Sequence, residues 1–530
     1  MSRIQLPQIY QNHMMLQRDK PLHIRGTAPS ASVVTIVLEQ TRIQCPVSDG
    51  KFSCRFPAQP AGRDKTLYFY IEEQAEPDIM LTHISIGDIW LAAGQSNMEF
   101  FLRYDAHWND TRRLSSNPDI HMYNCPQLAF EGQQKDRPDS GRWFQEGDRA
   151  WATFSAPGYS FARSLQPDLK VPVGIIGCNW GGTPACAWMD EEALRQPHLD
   201  IFFKEYEAEI SVHSTEELEQ ISRSALAFEY SYRHQLEWRA VMYGLTSDEQ
   251  QTWMKEHKDD PVLPMGPFHH YRPCGLYHTM VQKLAPFSLK GILWYQGESD
   301  SNHADIYDKT MKSLIACFRR TWQDEALPFL FVQLAPFGRW LDCGNEGYAR
   351  IRSKQELISK TVPGTAMVSI MDLGMYEDIH PKFKMEVGER LALLAKGKVY
   401  GIPGLCESPE FLAANREGNQ IILSFSNTGE GLHSEPYRFV RKNQSIKNLS
   451  APENRRAISS FRILQSGQPL NISDIWIQKD QILLTLPEMH SEASSDPVEI
   501  SFAEENYCEV SIWNEANLPL KPFHCTVQHA

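Results

Sequence analysis

The sequence predicts an α/β protein with a parallel-sheet core and flanking β-rich N- and C-terminal parts. Three observations carry that reading. Apolar runs that stop at glycine or polar residues recur at 86–93, 173–178, 289–295 and 366–371, as buried parallel strands do. Between them lie helical stripes, such as Tyr307, Met311, Leu314, Ile315, Phe318 and Trp322, spaced for one face of a helix. Outside about residues 85–405, shorter runs broken by Gly, Pro and Asp take over, the signature of antiparallel strands and turns.

Taken in order, residues 1–84 alternate apolar and polar positions in runs such as 32–38 and 67–71, which predicts a small antiparallel β domain. Cys45 and Cys54 flank the Ser48-Asp49-Gly50 turn and could face each other across a hairpin, the pairing to test for a disulfide. Residues 85–405 form the α/β domain. Within it, about 190–273 is rich in Glu, Gln, His and Tyr and contains Ser214-Thr215-Glu216-Glu217, a helix-start pattern. This segment reads as a helical insertion over the edge of the sheet. A second amphipathic helix follows Pro381, with Val387, Leu391, Leu394 and Ala395 on one face. Strand runs return at 421–425 and 482–486, so 406–530 is expected to be a β-rich C-terminal domain.

Composition sets further bounds. A chain of 530 residues with 42% hydrophobic and 11% aromatic content has ample material for about two to four cores. No apolar stretch reaches the roughly 18 residues of a membrane span. The N-terminus lacks the apolar centre of a signal peptide, so the expectation is a cytoplasmic protein, or a secreted or periplasmic one whose leader has been removed. Eleven cysteines without a C-x-x-C pair point to buried thiols rather than a zinc ribbon or a dense disulfide framework. His269, His270 and His278 have no carboxylate or cysteine at ligand spacing, so no catalytic metal or other cofactor is expected. A net charge of -14 argues against nucleic acid or an anionic membrane as a partner, and an anionic ligand would need a local cationic patch.

The chemistry concentrates where the core strands end. Gly94-Gln95-Ser96-Asn97-Met98-Glu99 follows the first run, and a Gly-x-Ser triplet by itself marks only a turn or helix cap. The second run ends in Trp180-Gly181-Gly182-Thr183, the third in Gln296-Gly297-Glu298-Ser299-Asp300, and the fourth leads through Asp372 to Asp378-Ile379-His380-Pro381. A serine, a glycine pair, a Gln/Glu pair and an Asp/His pair at strand ends are the inventory of a hydrolase with serine attack, an oxyanion site and a histidine base. Ser96 is the candidate nucleophile and His380 the candidate base.

The motifs GQSNM, WGGTPACAW, WYQGESD and DIHP resemble those of the sialate O-acetylesterase family of SGNH-type carbohydrate esterases. The likeness includes LPQIYQNHMMLQRDKPLHIRGTA and LPFLFVQLAPF and extends to about residue 400, with a weaker trace around Tyr507 to Phe523. It implies an SGNH/flavodoxin-like core, no cofactor, and an acetylated sugar as substrate, foremost 9-O-acetyl sialate, with xylan or another neutral acetylated glycan as the alternative. It also implies oxyanion donors: the main-chain N–H groups of Ser96 and Gly182 and the side-chain amide of Gln296, where the wider SGNH pattern has Asn. Asp378 is the chosen orienter of His380, with Glu377, Asp372 or a main-chain carbonyl as alternatives.

Several further residues carry weaker expectations. Asn97 and Glu298 are read as supporting the site through hydrogen bonds rather than reacting. Trp180, with Trp188, Trp294 and Tyr295, could stack on a sugar or belong to the core. Arg352 is the first candidate to pair with a sialate carboxylate, ahead of Arg339, Lys354 and Lys382. A glycoside hydrolase using Glu298 and Asp378, or a non-catalytic carbohydrate-binding protein, leaves the strand-end serine unexplained.

Overall fold

The computed structural model describes residues 3–72, 74–133, 137–434, 460–487 and 496–527; parts of the expected C-terminal β-rich region lie outside them. Its spine is the 16-residue strand Ile79–Gly94. The first part of that strand pairs antiparallel with Gly62–Ile71, from which the sheet continues through Val33–Leu38, Thr41–Ser48, Lys51–Phe56 and Leu22–Thr27. Its last part is flanked by parallel strands, Val173–Asn179 on one side and Gly291–Tyr295 on the other. Ile120–Asn124 extends the first side, and Phe329–Val332 then Thr365–Val368 extend the second. The result is a mixed α/β architecture with a large, mostly parallel centre.

Register explains why the strand ends matter. Asn179 and Tyr295 both pair with Gly94, so three carboxyl ends finish at one level and their loops open on one edge. In doubly wound sheets that edge is where ligands bind. Every residue of Val173–Asn179 and of Gly291–Tyr295 is buried, because helices cover both faces of the parallel part.

The helix Tyr307–Trp322 buries all six residues of its expected stripe. Lys384–Lys398 likewise buries Val387, Leu391, Leu394 and Ala395. It lies against Ala156–Leu169 so closely that a Cβ on Gly388 would stand 2.4 Å from the Pro157 carbonyl oxygen and 2.5 Å from Ser160 Cβ. Between about 190 and 273 the chain forms the helices Ile201–Ile210, Thr215–Glu229, Tyr232–Gly244 and Ser247–Glu256. Ser214 and Glu217 close the capping box read from the sequence. The described C-terminal residues build two four-stranded sheets around an apolar cluster that includes Ile421, Phe425, Ile482, Ile500 and Phe523.

Cys45 and Cys54 face each other across neighbouring antiparallel strands and are disulfide-bonded, with Cα atoms 5.9 Å apart. The other nine cysteines are free thiols.

Gly388→Ala is expected to destabilise the fold by about 1–3 kcal/mol, because the new methyl group meets main chain that cannot yield. Urea unfolding followed by fluorescence checks it; an unchanged midpoint would mean that the two helices have room to separate.

Candidate active site

The central strand must end in glycine. Gly94 has φ 137°, and a Cβ there would lie 2.1 Å from the carbonyl oxygen of Tyr295. The chain then turns into the short helix Ser96–Glu99 with Gln95 at its N-cap. Ser96 Oγ lies 2.9 Å from His380 Nε2, across 284 residues of sequence.

The ring is fully buried and holds few partners. Burial, followed by the charges of Lys382 and Lys384, drives the His380 pKa well below the usual imidazole value, and the Met242 main chain opposes them. Met242 belongs to the helix Tyr232–Gly244 of the insertion. Nδ1 itself has no hydrogen-bond partner among the described residues. Asp378 is beside the ring but not bonded to it: Oδ1 is 3.8 Å from Nδ1 and accepts the His380 main-chain N–H at 2.8 Å. Its Oδ2 pairs with Lys382 at 2.8 Å. The two other acids are committed elsewhere. Asp372 binds Arg390 through both oxygens at 2.7 Å and accepts Trp513 Nε1 at 2.8 Å, and exposed Glu377 pairs with Arg339 at 3.0 Å.

Asn97 joins the strand ends. Its Nδ2 donates to Glu298 Oε1 at 2.5 Å and to the Ile379 carbonyl at 3.0 Å, tying the residue after the serine to the residue before the histidine. Asn97 Oδ1, Glu298 Oε2, Tyr295 Oη and Lys384 Nζ are buried without hydrogen-bond partners among the described residues, Lys384 Nζ lying over the Phe100 ring at 5.1 Å. Burial lowers the Lys384 pKa to about 7 and raises that of Glu298.

The Gly182 turn is equally constrained, with φ 74° and the Tyr271 hydroxyl 1.8 Å from where a Cβ would stand. Ser96 and Gly182 both line one cleft. Gln296 departs from its expected part. Its Nε2 donates to Asp300 and, at 3.3 Å, to the Thr183 carbonyl, while Oε1 accepts from Tyr307 at 3.2 Å. Both amide hydrogens face acceptors, which fixes the orientation of the amide and leaves no donor for an oxyanion. Gln296 instead locks the Gly182-Thr183 turn to the neighbouring strand end.

The cleft has a volume of about 690 Å³. Strand-end residues Ser96, Gly182, Glu298 and His380 form one side, and the insertion closes the other with Trp238, Met242, Trp253 and Tyr271. Trp180 lines it too, its ring stacked on His270 at 4.6 Å. Trp188, Trp294 and Tyr295 are 0–1% exposed and belong to the core. His269 and His270 stack at 4.9 Å in the wall, whereas His278 turns to Glu191 at 2.9 Å.

Arg352 is not a cleft cation. It is 1% exposed and donates to the main-chain carbonyls of Glu505 and, at 3.3 Å, Asn506, so it fastens the helix Tyr348–Thr361 to the C-terminal region. Lys354 pairs with Asp308 at 3.0 Å. A buried cation that the sequence did not announce is Arg239, bonded to Glu99 Oε1 at 2.6 and 2.8 Å. Burial alone would raise the Glu99 pKa, but Arg239, Gln127 and Arg137 outweigh it and hold the carboxylate below its ordinary range. Glu99 Oε2 in turn accepts the Gly181 N–H and the Tyr243 hydroxyl, each at 3.0 Å. Glu99 stood in the GQSNM segment as a visible acid, but its partner lies 140 residues away with no motif around it.

Arg239→Met is expected to cost about 3–5 kcal/mol, because it leaves a buried carboxylate unpaired, and Glu99→Gln added to it should recover part of the loss. Denaturant unfolding of the two variants checks this; equal stability of Arg239→Met and wild type would contradict it.

The family model for carbohydrate esterase, sialic acid-specific acetylesterase, matches residues 86–212 and 250–395, just over half of the chain. The sialate O-acetylesterase of Rattus norvegicus is 25% identical over 429 residues, covering 74% of this chain and 72% of that protein. The Homo sapiens sialate O-acetylesterase is 25% identical over 427 residues, 74% and 70% of the two chains. The crystal structure of a carbohydrate acetylesterase from Xanthomonas citri shares the fold, with a TM-score of 0.71 over 98% of this chain and 99% of that one at 24% identity. This chain belongs to the sialic acid-specific acetylesterase family of carbohydrate esterases and is a carboxylic ester hydrolase.

Proposed function

We propose that the protein removes O-acetyl groups from sugars by acyl transfer through Ser96 and His380, with 9-O-acetyl sialate as the substrate suggested by the family. One observation carries the mechanism: the 2.9 Å contact of Ser96 Oγ with His380 Nε2 at the wall of the cleft. The buried imidazole, its pKa pushed down, is neutral at physiological pH and ready to accept a proton. Ser96 Oγ attacks the acetyl carbonyl as Nε2 takes its proton, and the tetrahedral oxyanion receives the Ser96 and Gly182 main-chain N–H groups. Collapse breaks the ester bond, and His380 returns the proton to the departing sugar oxygen. Water, deprotonated by the same nitrogen, then releases acetate and regenerates Ser96.

Asp378 supports the imidazolium by charge from 3.8 Å, close enough for a hydrogen bond to form as the site tightens around substrate. A neutral acetylated glycan, such as xylan, is a second reading favoured by one observation. Arg352 is occupied by carbonyls, and the buried Arg239 by Glu99, while Glu229 and Asp260 outnumber the exposed Lys258 in the cleft wall. The ratio of kcat/KM for 9-O-acetyl sialate to that for acetylated xylo-oligosaccharides decides between the two.

Ser96→Ala is expected to lower kcat for a chromogenic acetate at least about 10⁴-fold with an unchanged melting temperature. Retained turnover would remove the serine mechanism.

Lys384→Met tests the electrostatics. Lys382, Lys384 and Asp378 carry the charges around the ring, and Lys384 disfavours the imidazolium. Its loss raises the His380 pKa, so the acid limb of kcat/KM is expected to move to higher pH. A limb that stays in place or moves to lower pH would contradict the arrangement.

A further inference from the structure

The family model leaves residues 213–249 unmatched, yet this stretch forms the helices Thr215–Glu229 and Tyr232–Gly244 and walls the cleft. It contributes the rings of Phe228, His234 and Trp238, and the following helix adds Trp253 and His257. The rings form a continuous series: Phe228 and His234 at 4.1 Å, Trp238 and Trp253 at 5.9 Å, and Trp253 stacked on His257 at 4.0 Å. Beyond them the rim exposes Met254 at 40% and Val262 at 80%. Apolar surface continuous with a reaction site requires an occupant.

The surface has mixed chemistry. Sugar rings present C–H faces that lie on aromatic rings and hydroxyl edges that donate to carboxylates. Glu229 and Asp260 stand in the same wall with Lys258; the carboxylates accept such hydroxyls, and the two acids outnumber the one cation. The cleft, at about 690 Å³, is larger than one acetylated sugar fills.

We propose that the wall from Phe228 to Val262 is a glycan subsite that takes neutral sugar residues linked to the acetylated one, making the substrate an acetylated oligosaccharide rather than a free acetylated sugar. The inference rests on the esterase reading for the reacting end, and it holds whether the acetylated unit is a sialate or a neutral sugar.

The test is a length series of acetylated xylo- and gluco-oligosaccharides, from one to four residues. Titration calorimetry of the unacetylated tetrasaccharides into Ser96→Ala accompanies it. KM is expected to fall about tenfold or more from mono- to tetrasaccharide, and Trp238→Ala should erase most of that gain by raising KM for the tetrasaccharide rather than lowering kcat. Equal KM along the series in the wild-type enzyme overturns the proposal whether or not the variant folds, as does a Trp238→Ala variant that keeps the full length dependence. Tetrasaccharide binding without acetate release would leave the subsite standing and remove the esterase reading, whereas acetate release without length dependence or binding would do the reverse.

Discussion

The site depends on how the strand Ile79–Gly94 ends. It is held on both sides, by Val173–Asn179 and by Gly291–Tyr295, up to Gly94 itself, and the approach of the Tyr295 carbonyl admits no side chain there. The serine therefore leaves the sheet from a position that packing has already fixed. Asn97 then couples the loop carrying Glu298 and the loop carrying His380 to that same point, and the geometry between Ser96 and His380 follows from three strand ends of one sheet. Because the same strand also enters the N-terminal antiparallel sheet, the reactive end is anchored far from the cleft.

Around this frame the protein holds charge that water does not solvate. Lys384 sits without a hydrogen-bond partner among the described residues, in reach of the charge of Glu298, and Arg239 is buried against Glu99. Buried ionic groups rarely add stability over apolar residues of the same size. Their value here is positional: Glu99 holds the Gly181 N–H and Glu298 holds Asn97, so each anion fixes a loop that borders Ser96. Arg239 keeps Glu99 charged, and burial with Lys382 and Lys384 keeps His380 neutral.

The parts of this arrangement that were legible in the sequence are local ones. Unbroken apolar runs and the stripe from Tyr307 to Trp322 gave the sheet and its helices, because burial on both faces of a parallel sheet writes itself into consecutive residues. Ser96 and His380 stood out because strand ends concentrate polar residues at fixed offsets. Contacts made across the fold were not legible. Gln296 resembles an oxyanion donor by position, but Asp300 and the Thr183 carbonyl take both its hydrogens. Arg352 reads as a pocket cation until residues 505–506 close over it. Arg239 and Met242 carry no motif, and only the packing of the insertion onto the strand ends brings them to the cleft.

The central claim is that Ser96 is a nucleophile activated by His380, and the most direct measurement is covalent capture. Incubation with diisopropyl fluorophosphate followed by peptide mass spectrometry should find the adduct on Ser96, formed at a rate that falls sharply in His380→Ala. An adduct on another residue, or labelling of Ser96 at the same rate without the histidine, would contradict the account.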